Sequence, residues 1–559
     1  MQQLIRRLAA VFAVTALLLL SLISVADETQ PSDASAHVLR AEIALHRMDY
    51  LEAAREYRLA AETSKSVDIA RQATRIAFSY GFYEDGLISA TRWLELEQDS
   101  DEALFHVARL QLRLGDVRNA RRNYKKLIER NDAEPDERLL SLIGVLGQED
   151  AENADAVMRW LAKPYKDSAY AHYSAAVTAL RAEDVEYAQK RALRAIELSP
   201  DWMRPKLLYG RSLMIAGDQE AAIDYIARLI GDDPQPDPEA RMELALVMMA
   251  AGRDDDALSQ VNQIQYETGS QPDALRLMAI LNFRQENLDA AWEDFQDLLS
   301  TGRHTMDALF YLARIADFRG ESERAIRLYS QVKDGSHTVT AQRRASALIA
   351  YQRDEPDAAV ERLDEFARDN PSFAVDMVQA KAQLLASLER YDEALTNYDK
   401  MVTFRPDDEG IALGRAELLL RMDRIDESVD QYRKVVKRWP ESALALNALG
   451  YTLADRTEQY KEAEKLIRKA LKYDPDSPAI IDSLGWVLHK RGQHEAALEE
   501  LQKAYEKLDD PEVASHIVEV LFALNRNDEA RQFLADAEEK SPENPLLQDV
   551  RERLFADAE

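Results

Sequence analysis

The stretch Ser477–Tyr505, SPAIIDSLGWVLHKRGQHEAALEELQKAY, decides the fold of this chain. Apolar residues recur every three or four positions on both sides of Gly492, which is the spacing of one helix face. The pattern predicts a first helix at about Ala479–Lys490 and a second at about Glu495–Lys507, with Gly492 in the turn. A small residue in each helix, Gly485 in the first, allows the two helices to approach closely.

The same unit recurs along nearly the whole chain. A small residue appears fifteen times at steps of 33 to 35 positions, and an apolar or aromatic residue follows it four and seven positions later. Most of these positions are alanine, far more often than the alanine content of the chain predicts. The fifteen positions are Ala53, Gly86, Ala120, Ala154, Ala188, Ala222, Ala257, Ala291, Ala325, Ala359, Ala394, Ser428, Ala463, Ala497 and Ala530.

The period of 34 residues, the paired helices and a proline that often closes the unit resemble the tetratricopeptide repeat. The resemblance covers about Ala36 to Pro542. It implies an all-α, right-handed superhelical solenoid of about 15 helix-turn-helix repeats. The first helices would line a concave face that binds extended peptides or partner helices. Leu546 to Phe555 is predicted to form a polar C-terminal capping helix.

The N-terminus has the pattern of an export signal. Arg6 and Arg7 precede the uncharged stretch Leu8–Ala26, which ends in a small-x-small cleavage motif. A cleaved signal peptide and an uncleaved signal anchor both fit, and both predict a periplasmic body in a bacterium. The predicted organisation is a signal peptide or anchor at 1–26, a flexible spacer at 27–36, repeats at 37–130, a degenerate repeat at 131–166, repeats at 167–374, well-formed repeats at 375–545 and a cap at 546–559.

Composition and motifs predict a protein without catalysis of its own. The net charge of -30 opposes nucleic-acid binding, so basic or neutral protein partners are expected. The chain has no cysteine, which excludes disulfides, thiolate catalysis and a lipid-modified N-terminal cysteine. No nucleotide-binding or hydrolase motif occurs, and no cofactor or metal is expected. His489 and His494 are interpreted as surface residues, and Asp254–Asp256 as acids at a helix start.

Candidate protein-binding residues are placed on first helices, three positions before and one and four positions after the small residue. The alternative for Trp486 and Tyr451 is packing between repeats, and for Arg71 and Arg75 a solvated surface. The candidates are Asn447, Tyr451, Asp482, Trp486, His489, Arg71, Arg75 and Phe78.

A narrower resemblance lies near the C-terminus, where Asn447–Asp455 reads NALGYTLAD and SLGWVL follows one repeat later. Both stretches are similar to envelope repeat proteins of proteobacteria that partner a carboxyl-terminal processing protease. The resemblance implies an adaptor that binds and activates this protease and presents peptidoglycan hydrolases. Members of that group are typically lipoproteins, whereas this chain lacks the required cysteine. The alternatives are a scaffold for assembly or export of an envelope polysaccharide or appendage, and an enzyme with a cryptic site.

Overall fold

The computed structural model describes residues 33–130, 134–231, 237–269 and 271–555. In these ranges the chain forms 31 α-helices and one short 3-10 turn, Pro371–Phe373, without a β-strand. The predicted signal segment 1–26 lies outside the described residues. None of the described helices is long and apolar enough to cross a membrane.

The helices alternate between first and second members of a pair, and odd numbers denote first helices. They are α1 Asp33–His46, α2 Tyr50–Thr63, α3 Val67–Ser79, α4 Tyr83–Leu96, α5 Asp101–Arg113, α6 Val117–Glu129, α7 Pro135–Leu146, α8 Ala151–Ala162, α9 Ala169–Arg181, α10 Val185–Leu198, α11 Met203–Ile215, α12 Gln219–Ile230, α13 Pro238–Ala250, α14 Asp254–Thr268, α15 Pro272–Arg284, α16 Leu288–Ser300, α17 Thr305–Phe318, α18 Ser322–Tyr329, α19 Thr338–Gln352, α20 Pro356–Asp369, α21 Ala374–Ser387, α22 Tyr391–Phe404, α23 Glu409–Arg421, α24 Ile425–Arg438, α25 Ala443–Arg456, α26 Tyr460–Tyr473, α27 Pro478–Lys490, α28 His494–Lys507, α29 Pro511–Ala523, α30 Asn527–Lys540 and α31 Pro545–Phe555.

Contacts divide the chain into two compact units. The described residues of the first unit fall within Met1–Glu355 and Glu365–Ala374, and those of the second within Pro356–Asp364 and Val375–Glu559. In both units, consecutive helices pack antiparallel in pairs and each pair stacks on the next. The predicted all-α architecture of about 15 helix pairs is confirmed.

The recurring small residue explains why the helices pack in this way. All fifteen of these positions are buried, and each lies in a second helix. The residues four and seven positions later turn the same face into the core, as Leu501 and Ala504 do after Ala497. Gly492, in the turn between α27 and α28, has φ of +76°, a conformation that a side chain disfavours.

The structure corrects the predicted boundaries in two places. Helix α1 begins at Asp33, so the last residues of the predicted spacer 27–36 are helical rather than flexible. In the stretch that decides the fold, α27 begins at Pro478 and α28 at His494, each one residue earlier than predicted. Proline is well suited to the first turn of a helix, because its missing N–H would have no helical partner there.

The final helix covers the end of the array. Leu547 and Val550 of α31 are buried against the core of the second unit, whereas Leu546 is exposed. An array of stacked helix pairs exposes an apolar face at its last repeat, and α31 covers that face.

Candidate protein-binding surfaces

In the repeat formed by α27 and α28, the first helix packs closely on the second through its small residue, Gly485. A Cβ atom added at Gly485 would lie 2.5 Å from Leu501 Cγ and 3.1 Å from the Ala497 carbonyl oxygen. The positions three before, one after and four after this small residue share one side of the first helix. We call this side the first-helix face, and all the predicted binding residues belong to it.

Asp482 of α27 is buried and forms an ion pair with His516 of α29. His516 Nδ1 donates to Asp482 Oδ1 over 2.8 Å. Burial alone would lower the pKa of His516, but the hydrogen bond and charge of Asp482, with the charges of Glu512 and Glu519, raise it overall. Asp482 therefore joins two consecutive first helices and does not face solvent.

Trp486 is only 4% exposed and stacks against two histidine rings. Its ring stacks on His516 with centroids 4.1 Å apart and on His489 at 5.3 Å. The indole Nε1 donates to Asp455 Oδ1 of α25 over 3.2 Å. This arrangement matches packing between repeats, the alternative that the sequence left open for Trp486.

His489 and His494 contact each other directly. Their Nδ1 atoms are 3.1 Å apart, so one ring donates and the other accepts. Burial, followed by the nearby charge of His494, lowers the pKa of His489 to about 4. Both rings are half-buried, so the interpretation as surface residues holds in part, and the turn between α27 and α28 brings the two rings into contact.

Tyr451 and Asn447 of α25 complete the cluster at this end. The Tyr451 hydroxyl donates to Glu512 Oε1 of α29 over 2.9 Å. Burial and the adjacent Glu512 carboxylate raise the pKa of Tyr451. Asn447 Oδ1 is buried and has no hydrogen-bond partner among the described residues.

These contacts close the first-helix face from α25 to α29. Every residue from Ile480 to Leu488 in α27 is buried, including those predicted to face a groove. The expectation of open, groove-facing positions is therefore corrected for Asp482 and Trp486, because α25 and α29 meet across α27. Asn447, Tyr451 and His489 remain half-buried.

The three candidates near the N-terminus make ion-pair and aromatic contacts. The Arg71 guanidinium lies 5.0 Å from the centre of the Trp93 ring and 3.0 Å from Asp68 Oδ1. Arg75 donates to Glu102 over 2.9 Å and keeps 55% of its side chain exposed. Both arginines therefore pair with carboxylates, whereas the sequence left a purely solvated surface as their alternative.

Phe78, the third of these candidates, is enclosed by two arginines from the next first helix. The guanidinium groups of Arg109 and Arg113 lie 4.8 Å and 4.6 Å from the centre of its ring. Both arginines donate to the buried carboxylate of Glu149. Arg113 also donates to the Tyr83 hydroxyl. This network fixes Phe78 in place and orders α3, α5 and the turn after α7.

Sequence reasoning missed residues near the C-terminal end of the first unit. Arg314 follows the small residue Ala313 by one position, and Tyr351 follows Ala347 by four, so the same rule selects them. Phe318, at the end of α17, is 79% exposed, and Tyr351 is 53% exposed. The signal that could have identified Arg314 and Tyr351 is therefore their spacing from the small residue of the first helix.

The arrangement of these side chains is suited to binding the surface of another protein. In the ranges given above for the structure, no three side chains of His, Asp or Glu lie close enough to hold a metal ion. Asp254 pairs with Arg284 at 3.0 Å and Asp256 with Arg253 at 2.7 Å, so these acids at the start of α14 are engaged by arginines. Stacked helix pairs with aromatic and arginine side chains on their faces define a class of repeat proteins that bind other proteins.

Comparison with known families agrees with this class. Three family models, each described as tetratricopeptide repeat, match the chain. The first matches residues 173–235, 344–409 and 413–478, the second 213–281, 456–515 and 488–554, and the third 102–132. These ranges together cover more than half of the chain, which therefore belongs to the tetratricopeptide-repeat proteins. This fold is typical of non-catalytic binding scaffolds.

Similarity to individual proteins is more limited. The chain is 27% identical over 212 residues to the TPR repeat-containing protein PA4667 of Pseudomonas aeruginosa. This alignment spans 38% of the present chain and 36% of that relative. Among solved structures, the APC/C hetero-tetramer Cut9–Hcn1 is similar at 14% identity, with a TM-score of 0.34 over 93% of this chain and 96% of the other.

Proposed function

We propose that this protein is a periplasmic adaptor that binds and activates a carboxyl-terminal processing protease and presents peptidoglycan hydrolases to it. The tetratricopeptide repeats support the general part of this proposal, a scaffold for protein–protein interaction. The specific part is carried by one observation, the resemblance of the stretches Asn447–Asp455 and Ser483–Leu488 to such adaptors.

Contacts between these two stretches support reading them as one unit. Asp455, the last residue of the first stretch, accepts a hydrogen bond from Trp486 in the second. Tyr451 of the first stretch reaches Glu512 on the far side of the helix that carries the second. The two stretches therefore contact each other in the fold and can act as one unit.

The location in the periplasm is part of the proposal and is supported by the N-terminal sequence. Arg6 and Arg7 precede the apolar segment and acids follow it, which directs the C-terminal body across the membrane. Without a cysteine for lipid attachment, the protein would be soluble after cleavage or held by an uncleaved signal. In both cases the repeats meet envelope proteases and wall hydrolases.

Affinity co-purification tests the proposal directly. The tagged full-length chain is isolated from gently solubilised envelopes of a strain whose carboxyl-terminal processing protease lacks its catalytic serine. We expect this protease and peptidoglycan hydrolases to be recovered together. Recovery of polymer-synthesis or export subunits without the protease would contradict the proposal and favour the alternative scaffold.

Reconstitution then separates binding from activation. The purified protease is mixed with a purified peptidoglycan hydrolase, with and without the chain, and the cleavage rate of the hydrolase is measured. We expect the rate to rise only when the chain is present and to stay at baseline with the chain alone. Cleavage at the same rate without the chain would mean that it is not an activator.

A further inference from the structure

Helix α6 carries an unusual concentration of positive charge. Its sequence, VRNARRNYKKLIE, contains five arginines and lysines and one acid. The chain as a whole has 71 basic and 101 acidic residues, so the excess of positive charge on α6 opposes the general trend. A local field of this sign on an acidic protein is a feature that a charged partner can recognise.

The positive charges form a stripe on the solvent side of α6. Ala120, Tyr124 and Ile128 are buried in the core, four residues apart along one face. The charged side chains occupy the remaining faces, and four of them are exposed: Arg118, Arg122, Lys125 and Lys126. Spacings of four, seven and eight residues align these four along the helix axis.

Most of this charge is not neutralised by neighbouring acids. Lys125 pairs with Glu129 of the same helix at 3.2 Å. Arg118, Arg122 and Lys126 have no carboxylate within ion-pair distance among the residues that the structure describes. Arg122 reaches only the side-chain oxygen of Asn119, at 3.4 Å.

Exposed and half-buried arginines elsewhere in the described residues differ from those of α6 in their partners. Many of them pair with an acid of the preceding repeat and form a ladder between neighbouring turns. The pairs are Arg319 with Asp289 at 2.5 Å, Arg353 with Glu323 at 2.6 Å, Arg390 with Asp357 at 2.7 Å and Arg456 with Asp423 at 2.6 Å. In a chain with an excess of acidic residues, a carboxylate partner is easily found for most arginines. Arg118, Arg122 and Lys126 of α6 nevertheless have no such partner among the described residues.

An aromatic side chain lies beside the stripe. The guanidinium of Arg121 lies 5.2 Å from the centre of the Trp160 ring, and Trp160 on α8 is half-buried. Arginine next to tryptophan is a combination enriched in the energetically important centres of protein interfaces. The stripe therefore has an apolar edge where a partner side chain can pack.

The narrow width of the stripe favours an acidic protein segment over a membrane surface as its ligand. Helix α8, which packs against α6, exposes Glu152, and α4 of the preceding repeat exposes Glu84 and Glu95. A plane of anionic lipid headgroups would meet these acids as well as the stripe. A single acidic strand or helix would lie along α6 alone, over its length of about 20 Å.

We propose that α6 is a docking site for an acidic segment of a partner protein, about six residues long if extended. It lies on a second helix, whereas the predicted binding residues lie on first helices, so it adds a second surface to the array. The inference does not depend on the protease adaptor function, because it concerns the charge and geometry of α6 alone.

Binding of defined peptides to the full-length chain tests this proposal. The probe is a fluorescein-labelled peptide with six consecutive glutamates between Gly-Ser ends, and its control has six glutamines. We expect fluorescence anisotropy to show binding of the glutamate peptide. This binding should weaken steeply as NaCl rises from 25 to 300 mM. The glutamine peptide should not bind.

A matched pair of variants locates the site. R118Q/R122Q/K126Q should weaken binding at least tenfold, whereas K461Q/K465Q/K472Q, which removes three exposed lysines from the basic helix α26, should change it less than twofold. R118K/R122K keeps the charge and should retain binding. All the altered side chains are exposed, so circular dichroism melts should be unchanged, and single substitutions of Arg118 or Arg122 serve if the triple variant fails to fold.

Several outcomes would overturn the proposal. Equal losses in the two triple variants would mean that net charge alone drives binding, and absence of glutamate-peptide binding would remove the site. The chain could instead bind vesicles that contain phosphatidylglycerol and fail to bind the peptide. If R118Q/R122Q/K126Q then abolished vesicle binding, the stripe would be assigned to a membrane surface. If the chain self-associated in sedimentation velocity and the same variant abolished this self-association, the stripe would be assigned to contact with a second copy of the chain.

Discussion

Tyr451 on α25 donates a hydrogen bond of 2.9 Å to Glu512 at the start of α29, across the helix α27 that lies between them. In a stack of helix pairs, most contacts join a repeat to its immediate neighbour. This bond joins first helices two repeats apart, and it closes the first-helix face over Trp486 and Asp482. The C-terminal repeats therefore form a locked block rather than an open groove.

Substituting Tyr451 by Phe should loosen this block. The variant keeps the ring and removes only the hydroxyl, so it loses a hydrogen bond to a charged acceptor, worth about 1.5–3 kcal/mol. Amide hydrogen exchange should become faster in α25 and α29 and stay unchanged in the first unit. The matched control is Tyr473→Phe, because Tyr473 is 46% exposed and its hydroxyl makes no hydrogen bond to any described residue.

Equal exchange rates in the wild-type chain and the Tyr451→Phe variant would show that apolar packing around Trp486 closes the face without this bond. A faster rate in both variants would point to a general effect of removing a tyrosine hydroxyl.

The stability of the C-terminal repeats should fall as pH rises above neutrality, through His516. The pKa of His516 is raised from its ordinary 6.5, because Asp482 and nearby acids outweigh its burial. The native state thus holds the proton more tightly than the unfolded chain. The stabilisation is complete below about pH 6.5 and is lost as pH rises through the native pKa.

Replacing His516 by Gln should remove this loss at high pH and destabilise the block by about 3 kcal/mol, because Asp482 would stay buried without its cationic partner. Urea unfolding followed from pH 6 to pH 9 measures both effects. A pH slope that persists in the variant would mean that another group causes it. His304→Gln is the matched control, since His304 pairs with Asp273 in an exposed position.

His489 should act in the opposite direction, at acid pH. Burial and the charge of His494 lower its pKa to about 4, so the unfolded chain binds the proton more readily than the native state. The native state is therefore favoured fully above about pH 6.5 and loses this advantage as pH falls toward 4. A protonated His489 carries a hydrogen on both ring nitrogens, so it could only donate to His494 and no longer accept from it.

The variant His489→Gln should flatten the acid limb of the stability profile without changing the limb above pH 7. Urea unfolding from pH 4 to pH 7, with His516→Gln as the comparison, separates the two histidines. If His489→Gln changed the alkaline limb instead, the assignment of the two titrations would be reversed.

The sequence predicts the helices well because the repeat pattern and the packing have the same cause. A position such as Ala497 must be small because two helices meet there, and that requirement recurs in each repeat. The helical start of α1 at Asp33 was missed because it precedes the first position of the series, Ala53, so no period marks it. The polar residues of the spacer gave no other indication of helix.

The candidate sites could be predicted only in part, because sequence spacing fixes a side of a helix but not what covers it. The rule placed Trp486 correctly on the first-helix face, yet His516, two helices further on, covers that position. How tightly successive repeats close depends on contacts such as Tyr451 with Glu512, which are 61 residues apart. Local periodicity contains no information about such distant pairs.

Because first and second helices pack closely at Gly485, replacing glycine by alanine should destabilise the protein there and stabilise it at Gly144. In Gly485→Ala, the new methyl group would lie 2.5 Å from Leu501 Cγ and 2.8 Å from its Cδ2, so the helices must move apart. Overpacking costs about 1–3 kcal/mol, and the better helix propensity of alanine offsets about 1 kcal/mol of it. The free energy of unfolding should therefore fall by up to about 2 kcal/mol.

In Gly144→Ala, the same methyl group meets nothing within 4 Å, because Gly144 lies on the exposed side of α7. Only the gain in helix propensity remains, so local stability should rise by up to about 1 kcal/mol. Hydrogen exchange resolved by helix measures both variants in the full-length chain, at α27–α28 and at α7. Stabilisation by alanine at both glycines would mean that the helix pair at Gly485 can separate freely, and small residues would then not be what sets the spacing of this fold.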